Sequence, residues 1–213
     1  SQTGFTGEKG YEIYVRDTHE NAEKVWNKVL EDGEEFGLMV IAPAHHRRIA
    51  AGILSWGQDL DHETSPFQVN LAYQVPRNKK SDYIGKAELE RQRDVIDSGD
   101  APFKMKMVGI TLGGKEITDY APDFWLVADT DGNDMGYVTS PWWSPELETN
   151  IALAWVPWSS SEVGTKLLVK LPDEYSVTPG EPVEGEIVDV PFRESVNPNK
   201  REVEAAKGKD FAE

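Results

Sequence analysis

Two side chains near the start of the chain are spaced so that they could act on one bound molecule. Glu12 and Tyr14 lie in the segment GYEIYV, where they alternate with Tyr11, Ile13 and Val15. This alternation predicts a half-buried strand, and residues two apart on a strand point to the same face. A carboxylate accepts hydrogen bonds and a phenol donates or accepts them, so the pair could hold a polar ligand. A hairpin with a polar outer face is the alternative for so short a motif.

Other polar clusters do not predict a metal site or a nucleophile. His45 and His46 are adjacent, so on a helix they point about 100° apart and cannot easily share one metal ion. The acidic segments at residues 59–63 and 129–134 lack the ligand spacing of a calcium loop. The sequence also has no cysteine, no glycine-rich phosphate loop and no serine elbow. Nucleotide hydrolysis and acyl transfer are therefore not indicated.

Composition limits the possible partners. The chain has 213 residues, 38% of them hydrophobic, and a formal net charge of −16. Phosphate would be repelled by such a charge, so we predict no nucleic-acid partner. No apolar run is long enough to cross a bilayer, so we predict no membrane partner. The lack of cysteine is compatible with a reducing compartment, and we expect a cytoplasmic protein.

The first half of the chain has the pattern strand, helix, strand, helix. A capping box at Asp17 and Glu20 predicts a helix that follows the strand at residues 11–15. A short buried strand is predicted at residues 38–41, and Pro43 can begin a second helix that runs to about Ser55. Further alternation predicts a strand at residues 67–75, and a surface helix follows at residues 84–96. We interpret residues 1–97 as part of an α/β domain.

The second half has a different pattern. Residues 98–103 are a candidate linker, and six short strand-like runs follow, separated by turn signals such as Asp131-Gly132. The runs are residues 105–112, 124–129, 136–139, 150–156, 165–171 and 184–190. They predict a small antiparallel β-barrel or sandwich at residues 104–194, and residues 195–213 are expected to be a charged tail. The fold class predicted for the whole chain is α+β.

Three motifs occur in an order that resembles a known family. They are TGFTGEKGYEIYV, RIAAGILSWGQDLDHETSPFQVNLAY and DYIGKAEL, which together extend over residues 3–89. Their order and spacing resemble the glycine-cleavage T-protein superfamily of folate-dependent one-carbon transferases. The later segment GYVTSPWWSPELETNIALAWVP is similar to the β-barrel domain of that family. The resemblance implies that this chain is the back half of such an enzyme, and that a missing front half or a partner chain completes it.

The resemblance also implies roles for particular residues. Glu12 matches the acidic residue that hydrogen-bonds the pterin ring of tetrahydrofolate, the expected cofactor. Tyr14 and Phe5 match aromatic positions beside the folate, Trp56 stands where the family usually has tyrosine, and Arg48 matches a retained arginine of the second helix. The catalytic residue is unknown, and we expect it in the missing N-terminal half.

One departure from the family pattern bears on the substrate. T-proteins carry an Arg-Asp pair near the start of the second helix, where this chain has Ala44 and His45. The segment therefore looks more like the dimethylsulfoniopropionate demethylase branch. The resemblance implies methyl transfer from a small, cationic donor such as a sulfonium compound to N5 of tetrahydrofolate. The alternatives are aminomethyl transfer in glycine cleavage and a non-catalytic β-domain that binds a partner.

Overall fold

A closed six-stranded antiparallel barrel forms the C-terminal part of the protein. The computed structural model describes residues 4–77, 79–121 and 123–193. The strands are β1 (Met105–Leu112), β2 (Trp125–Ala128), β3 (Asp134–Ser144), β4 (Thr149–Pro157), β5 (Lys166–Val169) and β6 (Val183–Val188). Their order around the barrel is β1-β4-β3-β2-β5-β6, and β6 pairs with β1 to close it. The predicted α+β class and the β-barrel are confirmed.

Alternation along the strands explains why β4 is buried on both faces. Ala152, Ala154 and Val156 point into the barrel core. The residues between them, Leu153 and Trp155, belong to a second apolar cluster on the outside of the barrel. This second cluster also contains Ile49 and Ala50, so it attaches the N-terminal part of the chain to the barrel wall.

Local sequence signals fix the turns of the barrel. Asp131-Gly132 forms the turn between β2 and β3, with Gly132 at φ 89°. The Asp129 carboxylate accepts hydrogen bonds from the backbone N–H groups of Asp131 and Asn133, which is a typical use of aspartate in turns. At Gly136 a Cβ atom would lie 2.0 Å from the carbonyl oxygen of Trp155. Only glycine allows β3 to approach β4 so closely at this point.

Before the barrel the described structure is helical and irregular. The helices are α1 (Thr18–Gly33), α2 (His45–Ala50) and α3 (Lys86–Asp97), with single 3₁₀ turns at Glu34–Phe36 and Ala72–Gln74. A third 3₁₀ turn, Trp158–Ser160, follows β4. The candidate linker at residues 98–103 lies between α3 and β1, whereas the expected tail at 195–213 lies outside the described residues. No helix in the described ranges has the length and apolar character needed to cross a membrane.

Three predicted strands are wrong in the described structure. Residues 11–15 and 38–41 form no strand ladder among the described residues, and a β-strand requires a hydrogen-bonded neighbour. Residues 67–75 do show alternating burial, with Phe67 and Val69 in the interior. Their backbone nevertheless coils through Asn70 at φ 61° and ends in a 3₁₀ turn. The alternation of apolar and polar residues in this segment therefore reflects alternating burial of side chains and not membership of a β-sheet.

The two predicted helix starts differ from the structure in detail. Asp17 adopts a left-handed conformation with no capping bond from its side chain, so the predicted capping box is wrong. The second helix ends at Ala50, several residues before Ser55. Its end is marked by Gly52 at φ 68°, where a Cβ atom would meet Val190 at 2.7 Å. The chain must turn there to pass the residues that follow the barrel.

A buried polar network joins the N-terminal part to the barrel. Arg48 in α2 is 1% exposed, and its Nη1 lies 2.7 Å from Oδ2 of Asp59. Its Nη2 donates a hydrogen bond to Oγ of Ser140 in β3 at 2.7 Å. The other Asp59 oxygen accepts hydrogen bonds from the hydroxyls of Thr139 and Ser140, both at 2.6 Å. Since each charge is met by polar partners, the network can exist without water.

We predict that Asp59→Ala destabilises the protein strongly, because it leaves the Arg48 guanidinium buried without its carboxylate. The expected loss in the free energy of unfolding is about 3–5 kcal/mol, measured by urea titration with circular dichroism. Asp97→Ala is the matched control, since it removes the carboxylate of an exposed ion pair with Arg77. It should cost at most about 1 kcal/mol. Equal losses for the two variants would contradict a structural role for the buried pair.

Candidate functional site

Glu12 and Tyr14 are in contact, although the segment that carries them is not a strand here. Tyr14 Oη donates a hydrogen bond to Oε2 of Glu12 at 2.7 Å. Both side chains are exposed, Tyr14 to 77%. The backbone of this segment brings the two side chains to the same side of the chain, as their spacing of two residues predicts. The pair presents a carboxylate and a phenol to solvent as one unit.

The phenol of Tyr14 is held in its protonated form by this arrangement. The hydrogen bond to Glu12 raises the pKa of Tyr14, and the negative charge of the same carboxylate raises it further. Because ionised phenolate would face a carboxylate at hydrogen-bond distance, the neutral phenol is favoured. Tyr14 therefore acts as a hydrogen-bond donor that orients Glu12.

Phe5 and Arg48 form a second group. The guanidinium carbon of Arg48 lies 5.9 Å from the centre of the Phe5 ring, within cation–π range. Phe5 is 48% exposed, whereas Arg48 is buried in the network with Asp59. The folate-binding role predicted for Arg48 stays a prediction. Its contacts with Asp59 and Phe5 are those of a residue that positions other side chains. Within residues 4–77, no hydrogen bond or ring contact joins Tyr14 to this second group.

Trp56 lies on the surface beyond α2. It is exposed to 68% and pairs through its backbone with Leu60 in an isolated bridge. The loop between them contains Asp59, so the buried ion pair fixes the backbone beside Trp56. The structure therefore holds this ring on an ordered loop, and its predicted contact with a ligand stays a prediction.

An aromatic cluster at the start of α2 was not predicted from the sequence. His45 is stacked on Trp142 with ring centres 5.3 Å apart, and its ring meets the edge of Tyr120 at 4.3 Å. His45 Nδ1 accepts a hydrogen bond from Nε of Arg48 at 3.4 Å. Nε2 of His45 is hydrogen-bonded to Oη of Tyr120. Because these three residues lie far apart in sequence, no local motif could have revealed them. We name them the His45 cluster.

The electrostatics of the His45 cluster favour a neutral imidazole. Burial lowers the pKa of His45, and the positive charge of Arg48 lowers it further. Because Nδ1 is an acceptor, the neutral ring carries its proton on Nε2. This N–H donates a hydrogen bond to Oη of Tyr120. The cluster is therefore an uncharged aromatic group at the start of α2.

A separate cavity lies on the barrel. It has a volume of about 690 Å³ and is lined by residues of β1, β5 and β6, among them Thr111, Lys166 and Glu186. None of the predicted site residues lines this cavity. Lys166 and Glu186 form an ion pair with each other across its wall. This cavity is the alternative to Glu12 and Tyr14 as a ligand-binding site.

Family models match both parts of the chain. The model described as "GCVT N-terminal domain" matches residues 1–79. The model described as "Glycine cleavage T-protein C-terminal barrel domain" matches residues 106–192. The second match covers all six strands of the barrel except Met105, the first residue of β1.

Curated relatives are named aminomethyltransferase. One from Geobacillus sp. (strain WCH70) is 34% identical over 173 residues, which are 80% of this chain and 44% of the relative. One from Bacillus subtilis (strain 168) is 30% identical over 194 residues, which are 90% of this chain and 48% of the relative. The chain thus spans about half the length of the curated relatives it matches.

A solved structure shows the same fold. The crystal structure of glycine cleavage system aminomethyltransferase T from Bartonella henselae superposes with a TM-score of 0.70 at 24% identity. The match covers 91% of this chain and 49% of that one. The two family models therefore match the chain on both sides of residues 98–103, and the solved structure covers most of its length. The chain belongs to the glycine-cleavage T-protein superfamily.

Proposed function

We propose that this chain forms the folate-contacting back half of an aminomethyltransferase that uses tetrahydrofolate. The observation that supports this most is the exposed pair of Glu12 and Tyr14, in a chain whose matched relatives are named aminomethyltransferase. These names favour aminomethyl transfer over the demethylase reaction expected from residues 44–45. The catalytic group is proposed to lie in the half of the fold that this chain does not match.

The residues present fit the chemistry of a reduced folate. An aminopyrimidine edge offers N–H donors, and the Glu12 carboxylate is an acceptor that can take two of them. Tyr14 already fixes one carboxylate oxygen at 2.7 Å, so Glu12 would meet the ligand in a defined orientation. Phe5 and Trp56 offer exposed rings that can stack on a flat heterocycle. When bound, tetrahydrofolate supplies the N5 atom that receives the one-carbon unit.

The protein's own contribution to rate would be mainly positional. Arg48 is fixed by Asp59 and Ser140 and holds Phe5 and His45 through its other contacts. Correct orientation of two reactants lowers the activation barrier by about 7–11 kcal/mol in favourable cases. A rigid second helix therefore serves transfer by keeping the donor and the acceptor in line.

The His45 cluster supports a second candidate function. An uncharged set of aromatic rings attracts a cationic group by about 0.5–2 kcal/mol. His45 and Ala44 replace the Arg-Asp pair of T-proteins, so a sulfonium methyl donor is the alternative substrate for this chain. Tyr120 and Trp142 would face the cation, and His45 would stay neutral between them.

We predict that Glu12→Gln weakens tetrahydrofolate binding by about tenfold or more, since a hydrogen bond to a charged group contributes about 1.5–3 kcal/mol. Isothermal titration of the purified protein with tetrahydrofolate measures the effect. Glu162→Gln removes an exposed carboxylate on the barrel side and is the matched control. Equal affinities of wild type and Glu12→Gln, or no binding by wild type, would contradict the proposal.

We predict that Glu12→Gln also lowers the pKa of Tyr14 toward its ordinary value. The raised pKa arises from the hydrogen bond to the carboxylate and from its charge, and glutamine removes the charge. Absorbance near the tyrosinate band is recorded as pH rises, and Tyr14→Phe identifies the contribution of this residue. An unchanged Tyr14 titration in Glu12→Gln would show that the two side chains are not paired in solution.

We predict that, if the donor is a sulfonium compound, Trp142→Leu weakens its binding by about 0.5–2 kcal/mol. Dimethylsulfoniopropionate is titrated into wild type and variant, with Trp158→Leu as the control, because Trp158 contacts Phe103 and Lys106 and not His45. Absence of any sulfonium binding by wild type would remove the second candidate and leave aminomethyl transfer.

A further inference from the structure

A pocket of about 450 Å³ lies between α3, the irregular segment at residues 67–77 and β1. Its volume is within the range of sites that hold small organic ligands. Residues 67–77 are fixed against the barrel, since the Met107 N–H donates to the carbonyl oxygen of Gln68 at 2.8 Å. None of the residues predicted to bind folate lines this pocket. We call it the α3 pocket.

The charged residues that line the α3 pocket are mainly basic. They are Arg77, Arg93 and Lys106, with Asp97 as the one carboxylate among the described lining residues. Asp97 is already paired, because its two oxygens accept hydrogen bonds from Arg77 at 2.6 and 2.9 Å. The positive charges of Arg93 and Lys106 are left, in a chain whose formal net charge is −16. An anion that the chain as a whole repels would be attracted at this point.

Arg93 and Lys106 contact aromatic rings instead of carboxylates. Nζ of Lys106 lies 5.2 Å from the centre of the Trp158 ring. The guanidinium carbon of Arg93 lies 5.3 Å from the centre of the Phe67 ring. A ring attracts a cation but leaves its charge unneutralised. Neither cation forms an ion pair with a carboxylate in the described ranges, so both can receive an anionic ligand.

An anion would offset the cost of burying Lys106. The side chain is partly buried, and this burial lowers the pKa of Lys106. No neighbouring negative charge opposes the effect in the part of the chain that the structure describes. A carboxylate at hydrogen-bond distance would stabilise the ammonium form. The site is therefore more favourable for a charged lysine when an anion is present.

The rest of the α3 pocket suits a flat apolar group. Phe67, Tyr73 and Trp158 line it, and Tyr73 is 42% exposed. Aromatic rings stack on one another or meet edge to face. The nearby charge of Asp97 repels a dianion such as a phosphate ester more strongly than it repels a single carboxylate.

We propose that the α3 pocket binds an aromatic carboxylate. The ring of this ligand contacts Tyr73, and its anionic end contacts Lys106 and Arg93. The site is separate from Glu12 and Tyr14, and its test contains no folate.

Isothermal titration of the purified protein with cinnamate tests the proposal. Cinnamamide is the matched neutral ligand, since it has nearly the same shape without the charge. Wild type is expected to bind cinnamate with a dissociation constant below about 1 mM, and cinnamamide about tenfold more weakly or less tightly still. Amide chemical shifts are expected to change at residues 72–77 and 104–107, which line or flank the pocket.

Two lysine variants locate the anionic contact. Lys106→Met keeps an apolar side chain beside Trp158 and removes the charge, and it should weaken cinnamate binding by about tenfold or more. Lys104→Met is the matched control, because Lys104 is exposed and does not line the pocket. It changes the net charge equally and should alter affinity by about twofold at most. Circular dichroism shows whether each variant retains the barrel.

Asp97→Asn tests the same charge balance without a change at Lys106. It removes the negative charge that repels the ligand and releases Arg77 from its ion pair. Cinnamate should bind about threefold more tightly to this variant. A purely structural role for the basic residues would give no such gain.

Four results would overturn the proposal. They are no saturable binding of cinnamate by wild type, equal binding of cinnamate and cinnamamide, equal weakening by Lys106→Met and Lys104→Met, and tighter binding of inorganic phosphate than of cinnamate. The last result would show that the pocket selects phosphate and not an aromatic carboxylate.

Discussion

The ion pair between Arg48 and Asp59 is the interaction on which the rest of this structure depends. It lies where α2, the loop after it and β3 meet, and both side chains are almost completely buried. Burying two charges costs several kcal/mol, which excellent geometry and additional hydrogen bonds must offset. Thr139, Ser140 and the carbonyl of Ile53 supply those bonds. Phe5, His45 and the loop that carries Trp56 are placed relative to this fixed point.

For function, the buried pair divides the candidate site residues into two groups. Phe5, His45 and Trp56 lie next to elements that the buried pair fixes, so their positions follow from the barrel. Glu12 and Tyr14 instead lie in residues 11–15, whose side chains are mostly exposed, so their positions do not follow from the buried pair.

The barrel could be predicted from the sequence because its signals are local. The run at residues 105–112 coincides with β1, and the Asp131-Gly132 turn lies where its residue types require. The N-terminal strands could not be placed, because pairing depends on neighbours and not on alternation alone. At residues 67–75 alternating burial arose from an irregular segment that packs Val69 against the barrel. Asp17 shows that a capping pattern does not fix backbone geometry, since this residue adopts a left-handed conformation and its side chain makes no capping hydrogen bond.

The candidate site was predicted in part. The contact of Tyr14 with Glu12 follows from their spacing and was found. The burial of Arg48 was not foreseen, because its partners Asp59 and Ser140 are 11 and 92 residues away. The His45 cluster joins three distant parts of the chain for the same reason. The family resemblance predicted a folate-binding role for Arg48, which stays a prediction, and the structure shows that this side chain is bonded to Asp59 and Ser140 in the interior.

The central claim is that tetrahydrofolate is held at Glu12 and Tyr14. The most direct measurement is a titration of the isotope-labelled protein with tetrahydrofolate, followed by amide chemical shifts. The account predicts saturable shifts at residues 11–15 and around Phe5, with none at the barrel cavity beside Lys166 and Glu186. Shifts confined to that cavity would contradict it.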